Sequence, residues 1–218
     1  MGLKPVVDFL KELSKNNNKE WFDEHRTAYQ GHRVEFLGLV QVLIDGIAMF
    51  DPSLTGVDPK KCVFRINRDI RFSKDKTPYK TNFGALMGGQ GKKSEGTGFY
   101  VHLAPGHNFV GGGMYKPLPD MLAKIRQEID YNPKDLMAVI DTEDFKSTFG
   151  KIQGEQLKTA PKGYPKDHPF IDLLRYKSFY VLKEFSDEEV AAQGFVEEAL
   201  VVCQKAAKFN EFLRNAIN

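Results

Sequence analysis

Arginine and lysine crowd one stretch of this sequence. Between Lys60 and Lys80 lie eight basic residues, Lys60, Lys61, Arg65, Arg68, Arg71, Lys74, Lys76 and Lys80, against two acidic ones, Asp69 and Asp75. The whole chain carries a formal charge of +2, so this local excess of six positive charges leaves −4 for the remainder. Charge is segregated along the chain. A guanidinium is a planar fork of donors that matches the oxygens of a phosphate or carboxylate. On that chemistry Arg65, Arg68, Arg71 and Lys76 are candidate holders of a phosphate or carboxylate, with Tyr79 hydrogen-bonding and Asp69 or Asp75 orienting the arginines. If the chain is an enzyme, Asp69 and Asp75 are the nearest candidates for a base or a metal ligand. A carboxylate beside arginine has a lowered pKa, however, and accepts protons poorly near neutral pH. The competing reading of the same residues is a structural network of ion pairs.

A second group is Tyr100, His102 and His107. A two-residue turn at Pro105-Gly106 would set both histidines on one face of a hairpin beside Tyr100 and Phe109, where they could line a pocket. No third ligand stands at a diagnostic spacing, so no metal site is assigned. His25 and His32 share one side of a helix with Trp21 and Tyr29 and receive no role. Gly111-Gly112-Gly113 lacks the G-x-G-x-x-G spacing and a following Gly-Lys-Ser or Gly-Lys-Thr, which points to close backbone packing and not to a phosphate loop. G-x-S-x-G and H-E-x-x-H are absent too.

These residues need elements to position them. Val6, Phe9, Leu10 and Leu13 repeat at helical spacing after Pro5, and Asn16, Asn17 and Asn18 interrupt the pattern. One longer helix then carries Trp21, Phe22, Phe36, Leu37, Val40, Leu43, Ile44 and Ile47, and ends before Pro52. From Cys62 the period becomes two. Phe64, Ile66, Ile70 and Phe72 alternate with Arg65, Asn67, Asp69 and Arg71, as in a half-buried strand. Arg68 has the inward parity on such a strand, so a bulge must turn it outward or a carboxylate must meet it. Thr81 to Met87, Gly98 to Ala104, His107 to Val110 and Phe179 to Phe185 are further strands. Gly88 to Gly98 has little to bury and is expected to be a mobile surface loop. Helices are expected at Met121 to Ile129, after Asn132-Pro133 and over Phe170 to Tyr176. Ser186 with Glu189 has the spacing of a capping box opening the C-terminal helical region, whose stripe is Phe195, Ala199, Val202, Ala206, Phe209 and Leu213. The order predicts an α+β fold over residues 1–218 as a single domain. Its predominantly antiparallel sheet comes from the middle of the chain and is packed by N-terminal and C-terminal helices.

The run from Arg65 to Tyr79, RINRDIRFSKDKTPY, resembles the R-x-x-R-D-x-R-F-x-x-[DN]-K-x-x-Y signature of the bacterial family called domain of unknown function 2461. The resemblance extends to Lys19-Glu20-Trp21-Phe22, to Gly98-Phe99-Tyr100, and to Gly111-Gly112-Gly113 followed by Pro117. It implies a single domain of about this length, and it brings no reaction and no cofactor to these positions.

With 218 residues, 41% hydrophobic and 28% charged, the chain can bury a sizeable core. No window approaches the roughly 18 uninterrupted apolar residues of a membrane span, and the opening MGLKPVVDFLKEL lacks a signal-like apolar stretch. No membrane partner and a cytoplasmic address are expected. Cys62 and Cys203 stand far apart, without a disulfide framework or a Cys-rich zinc site. Three functional readings remain: a small anionic ligand, phosphorylated or carboxylated, bound by the Arg/Lys site with or without being transformed there; a nucleic-acid-binding module; or a structural Arg/Asp network in a protein-interaction domain. In the second, Arg65, Arg71, Lys74 and Lys80 would track the backbone while Tyr79, Tyr100 and Tyr115 stack on bases.

Overall fold

Apolar residues at three- and four-residue steps make the first fifty residues helical. In the computed structural model, which describes residues 3–218, α1 (Lys4–Lys15) has Pro5 in its first turn and buries Val6, Phe9, Leu10 and Leu13. The Asn18 side chain accepts the Trp21 N–H at 2.9 Å and so caps α2 (Lys19–Glu24). The single long helix expected from Trp21 to Ile47 is in fact two. His25 leaves helical geometry (φ −101°, ψ 12°) and separates α2 from α3 (Arg26–Ala48). Its ring stacks on Trp21 at 4.0 Å, and its Nδ1–H donates to the Trp21 carbonyl at 2.8 Å. Periodicity could not show this break, because the apolar residues on either side keep nearly the same phase.

After the short α4 (Pro59–Cys62) come four strands, β1 (Phe83–Met87), β2 (Gly98–Leu103), β3 (Asn108–Met114) and, much later in the chain, β4 (Phe179–Phe185). They form one antiparallel sheet in the order β1-β2-β3-β4. Period-two alternation buries Phe83, Ala85, Met87, Phe99, Val101, Leu103, Val110, Met114, Phe179 and Val181. The residues between them, including Leu86, Tyr100, His102 and Phe109, stay half-buried, so the second side of the sheet is only partly covered. The triple glycine lies inside β3, and does not follow it. Gly113 has φ 137°, and any Cβ there would run into the backbone of Phe179 and Tyr180. Close strand approach, as expected, accounts for it.

The remaining helices are α5 (Pro119–Tyr131), α6 (Pro133–Ile140), α7 (Glu143–Phe149), α8 (Ile171–Leu174), α9 (Asp187–Ala191) and α10 (Phe195–Ile217). The capping box opening α9 is formed: Glu189 N–H donates to Ser186 Oγ at 3.2 Å, and the Ser186 N–H donates to Glu189 Oε2 at 2.6 Å. The fold is α+β, as the order of elements predicts.

The described residues form two units. The first contains the chain up to Lys93, Tyr100–Val110 and Glu184–Val201. Within it, Asp187 accepts the Gly106 N–H at 2.9 Å and Asn108 Nδ2 at 2.8 Å and pairs with Lys11 at 2.9 Å, which pins the Pro105-Gly106 turn. The second unit contains Ser94–Phe99, Gly111–Lys183 and Val202–Asn218. There Arg126 donates to the carbonyls of Leu174 and Tyr176, at 2.8 and 3.2 Å, and so satisfies the end of α8.

Candidate anion site and its supporting loop

The basic segment lies wholly in the first unit. Its residues 64–72 were expected to be a strand, and they do not form one. They alternate in burial, with Ile66 inward and Arg65, Asn67 and Asp69 exposed, but they pair with the returning chain only at the isolated bridges Val63↔Ala85 and Asn67↔Tyr79. Four residues of advance on the first arm match six on the second, so the ladder cannot run continuously. Pro78 ends it at the other side: it accepts the Arg68 N–H at 2.9 Å but has no N–H to return. The outward backbone groups of Tyr79 are taken by a side chain instead. Asn17 Nδ2 donates to the Tyr79 carbonyl at 2.9 Å, and Asn17 Oδ1 accepts the Tyr79 N–H at 3.1 Å. One amide thus does the work of a neighbouring strand.

Residues 68–78 make the loop between the arms, and its charged side chains bind one another. Arg68 takes the inward parity and is met by a carboxylate, one of the two solutions its position demands. Its guanidinium, 25% exposed, lies 2.5 Å from Asp75 and also donates to the carbonyl and hydroxyl of Thr77. Asp75 in turn accepts the Thr77 N–H at 2.9 Å and hydroxyl at 2.8 Å, and these bonds, with Arg68, hold its carboxyl down at about 2. Arg71 grips Asp69 with two donors at 2.9 and 2.6 Å, which lowers the Asp69 pKa. Lys76 Nζ donates to the Ile70 carbonyl at 2.9 Å. Tyr79 is buried, its ring stacked on Phe22 at 3.9 Å. Both aspartates are therefore kept ionised, which suits them to positioning arginines and not to accepting a proton.

Arg65 differs from its neighbours, being exposed and making no hydrogen bond to a described residue. It shares its surroundings with Lys80 and Lys92. Lys80 lies over the Phe64 ring, 5.4 Å from the centroid, and its pKa is lowered by burial and by the charges of Arg65 and Lys92. Lys92 Nζ donates to the Val63 carbonyl at 2.9 Å. Lys92 falls in the stretch read from sequence as a mobile loop. The structure gives it a short 3-10 turn, Gly91–Lys93, whose buried Gly91 packs against the Lys61 backbone. No sequence signal links residue 92 to residue 63.

The predicted pocket residues come together beside this patch. Phe64 meets Tyr100 edge-on at 6.3 Å, and Tyr100 lies 5.8 Å from Phe109. His102 stacks on Phe109 at 4.7 Å and faces His107 at 5.7 Å. The Tyr100 hydroxyl sits 3.3 Å from His102 Nδ1 and directly over Gly84, where a Cβ would strike it. Burial pushes the Tyr100 hydroxyl up to about 12; burial, and then the charge of His107, push His102 down to about 4. His102 is therefore neutral at pH 7 and can accept the tyrosine proton at Nδ1.

Sequence reasoning passed over two other places and misplaced a third. His168 Nε2 lies 2.9 Å from Asp130, but Nδ1 accepts the Phe170 N–H at 3.1 Å, so both ring nitrogens hold structure. A cavity of about 480 Å³ opens along α3 between Tyr29, Gln30, Gly31, Arg33 and Val34. Phe72, expected to be a strand's inward residue, is 95% exposed at the loop's tip. Among the described residues no group of three or more His, Cys, Asp or Glu side chains could hold a metal ion, and no helix is long and apolar enough to cross a membrane.

No curated protein and no solved structure matches this chain. The family model described as conserved hypothetical protein (DUF2461) matches residues 5–212, which take in the basic loop, the sheet and most of α10. By that match the chain belongs to the DUF2461 family of conserved hypothetical proteins.

Proposed function

We propose that the chain binds a small phosphorylated or carboxylated molecule through Arg65, Lys80 and Lys92, beside Phe64 and Tyr100. The observation that carries this reading is the gathering of two cations, Arg65 and Lys92, around the half-buried Lys80, which has no carboxylate partner among the described residues. Mutual repulsion and desolvation make such a cluster costly in the free protein, and an anion relieves both. Arg68, Arg71 and Lys76 fix the loop and add positive potential, while Tyr79 anchors the arm from which Lys80 projects. Asp69 and Asp75 orient arginines in this scheme, which makes it a binding function before it is a catalytic one. A cytoplasmic setting accords with two free, buried thiols, Cys62 and Cys203.

Thermal unfolding tests it, with phosphate, sugar phosphates, nucleotides and di- and tricarboxylates at low and high salt. A ligand bound to the native state must raise the midpoint by mass action. The expected result is a rise with one class of small anion that survives added salt and disappears in Lys80→Ala. No rise with any compound, or an equal rise in the variant, overturns the proposal.

A further inference from the structure

Among the described residues Phe72 is the most exposed of the large apolar side chains, at 95%, and the fold takes no packing from it. Its loop is nevertheless tied at three points: Arg68 to Asp75 and Thr77, Arg71 to Asp69, and Lys76 to the Ile70 carbonyl. A loop so constrained presents the ring in one place and loses little freedom when something docks on it. The Arg71 guanidinium lies 5.9 Å from the Phe72 centroid and so flanks the ring. Both loop carboxylates are spent on arginines, which leaves the charges of Lys74 and Lys76 without a carboxylate partner near the tip.

We propose that this loop docks unpaired nucleotides, a base stacking on Phe72 while Lys74 and Lys76 meet the phosphates on either side. An exposed planar ring on a loop that also carries exposed lysines matches a strand in which planar bases alternate with phosphates. A duplex hides its base faces. A lipid surface calls for a cluster of apolar side chains, and here there is one ring. The negative remainder of the chain confines the contact to a short footprint, with an expected Kd of about 10⁻⁴ to 10⁻⁵ M near physiological salt. Of the stacking tyrosines considered from sequence, Tyr79 is buried against Phe22 and Tyr100 is half-buried, while Tyr115 is exposed but belongs to the second unit and not to this loop. This inference goes beyond the small-anion site: Phe72 and Lys74 take no part there, and only Lys76 is common to both.

The test is fluorescence anisotropy with labelled fifteen-residue oligo-dT and oligo-U, in single-stranded and annealed form, alongside phosphatidylserine vesicles. The single strands should bind, the duplexes more weakly. Phe72→Ala should weaken single-strand binding about ten-fold, and Phe72→Trp should retain it. Lys74→Ala should lower the slope of log affinity against log salt by about 0.7. Phe72 is outside the core, so equal thermal midpoints will show that the variants fold. Binding that ignores Phe72→Ala, or a preference for vesicles or duplex, overturns the inference, as does no binding at all. The small-anion reading is judged separately, by whether Lys80→Ala abolishes the thermal shift while Phe72→Ala leaves it intact.

Discussion

His102 shows how one half-buried side chain couples the sheet to pH. Burial, and then the neighbouring His107 charge, lower its pKa from 6.5 to about 4. Between those values the unfolded chain binds a proton that the folded chain refuses, so stability is full above about pH 6.5 and falls as the pH drops toward 4. Allowing for partial exposure, the loss should be of the order of 2 kcal/mol. Thermal midpoints measured from pH 7 to pH 4 should show it, and His102→Phe should flatten that part of the profile. An unchanged slope in the variant would assign the acid sensitivity to carboxylates instead. Much at this scale was legible in the sequence. The parity of Arg68 demanded a carboxylate or a bulge, and Asp75 is the carboxylate. The turn at Pro105-Gly106 gathered Tyr100, His102, His107 and Phe109 as expected, because two-residue spacing alone puts them on one side. Lys92 and the exposure of Phe72 were hidden, since one depends on a contact 29 residues away and the other on a strand that does not form.

That missing strand is a lesson about elements. Alternating residues from Phe64 to Phe72 satisfy the pattern of a strand, but pattern does not supply a partner for the backbone. Pro78 withholds one donor, unequal spacing between the two bridges spoils the register, and Asn17 intercepts the groups of Tyr79. Replacing Asn17 therefore tests whether its amide stands in for a strand. Asn17→Ala removes two part-buried hydrogen bonds and should cost about 1–3 kcal/mol, read as the loss of unfolding free energy in denaturant. Limited proteolysis should cut faster between Arg65 and Lys80 in the variant, while far-ultraviolet circular dichroism stays the same. A uniform loss of protection across the chain would show that Asn17 supports the fold generally and not these arms. The helix break at His25 was hidden for a related reason: a cap made by a ring stacking on its neighbour has no periodic signature.

For the whole molecule, class was easier to read than register. Helices at both ends and strands in the middle gave α+β, whereas the placing of β3 through three glycines depended on the backbone of β4 beside it. The elements β2, β3, β4 and α10 each continue from one unit of the chain into the other. A buried thiol reports on each unit, Cys62 on the first and Cys203 on the second, and burial raises their pKa values to about 11 and about 12. Both should react with a thiol reagent only when the chain opens. The two labelling rates are expected to rise together through a single denaturation midpoint. Labelling of one at denaturant concentrations where the other stays protected would reveal two separate transitions. The amide of Asn17 also has a consequence in time. It joins positions 62 residues apart, and contacts across such a separation form late because the intervening chain must first be brought together. Until α1 and α2 have docked, Tyr79 keeps its backbone in water and the arms of the basic loop have no fixed spacing. The arrangement of this charged surface thus waits on a contact across 62 residues, and a folding species that lacks it would carry the same charges without their arrangement.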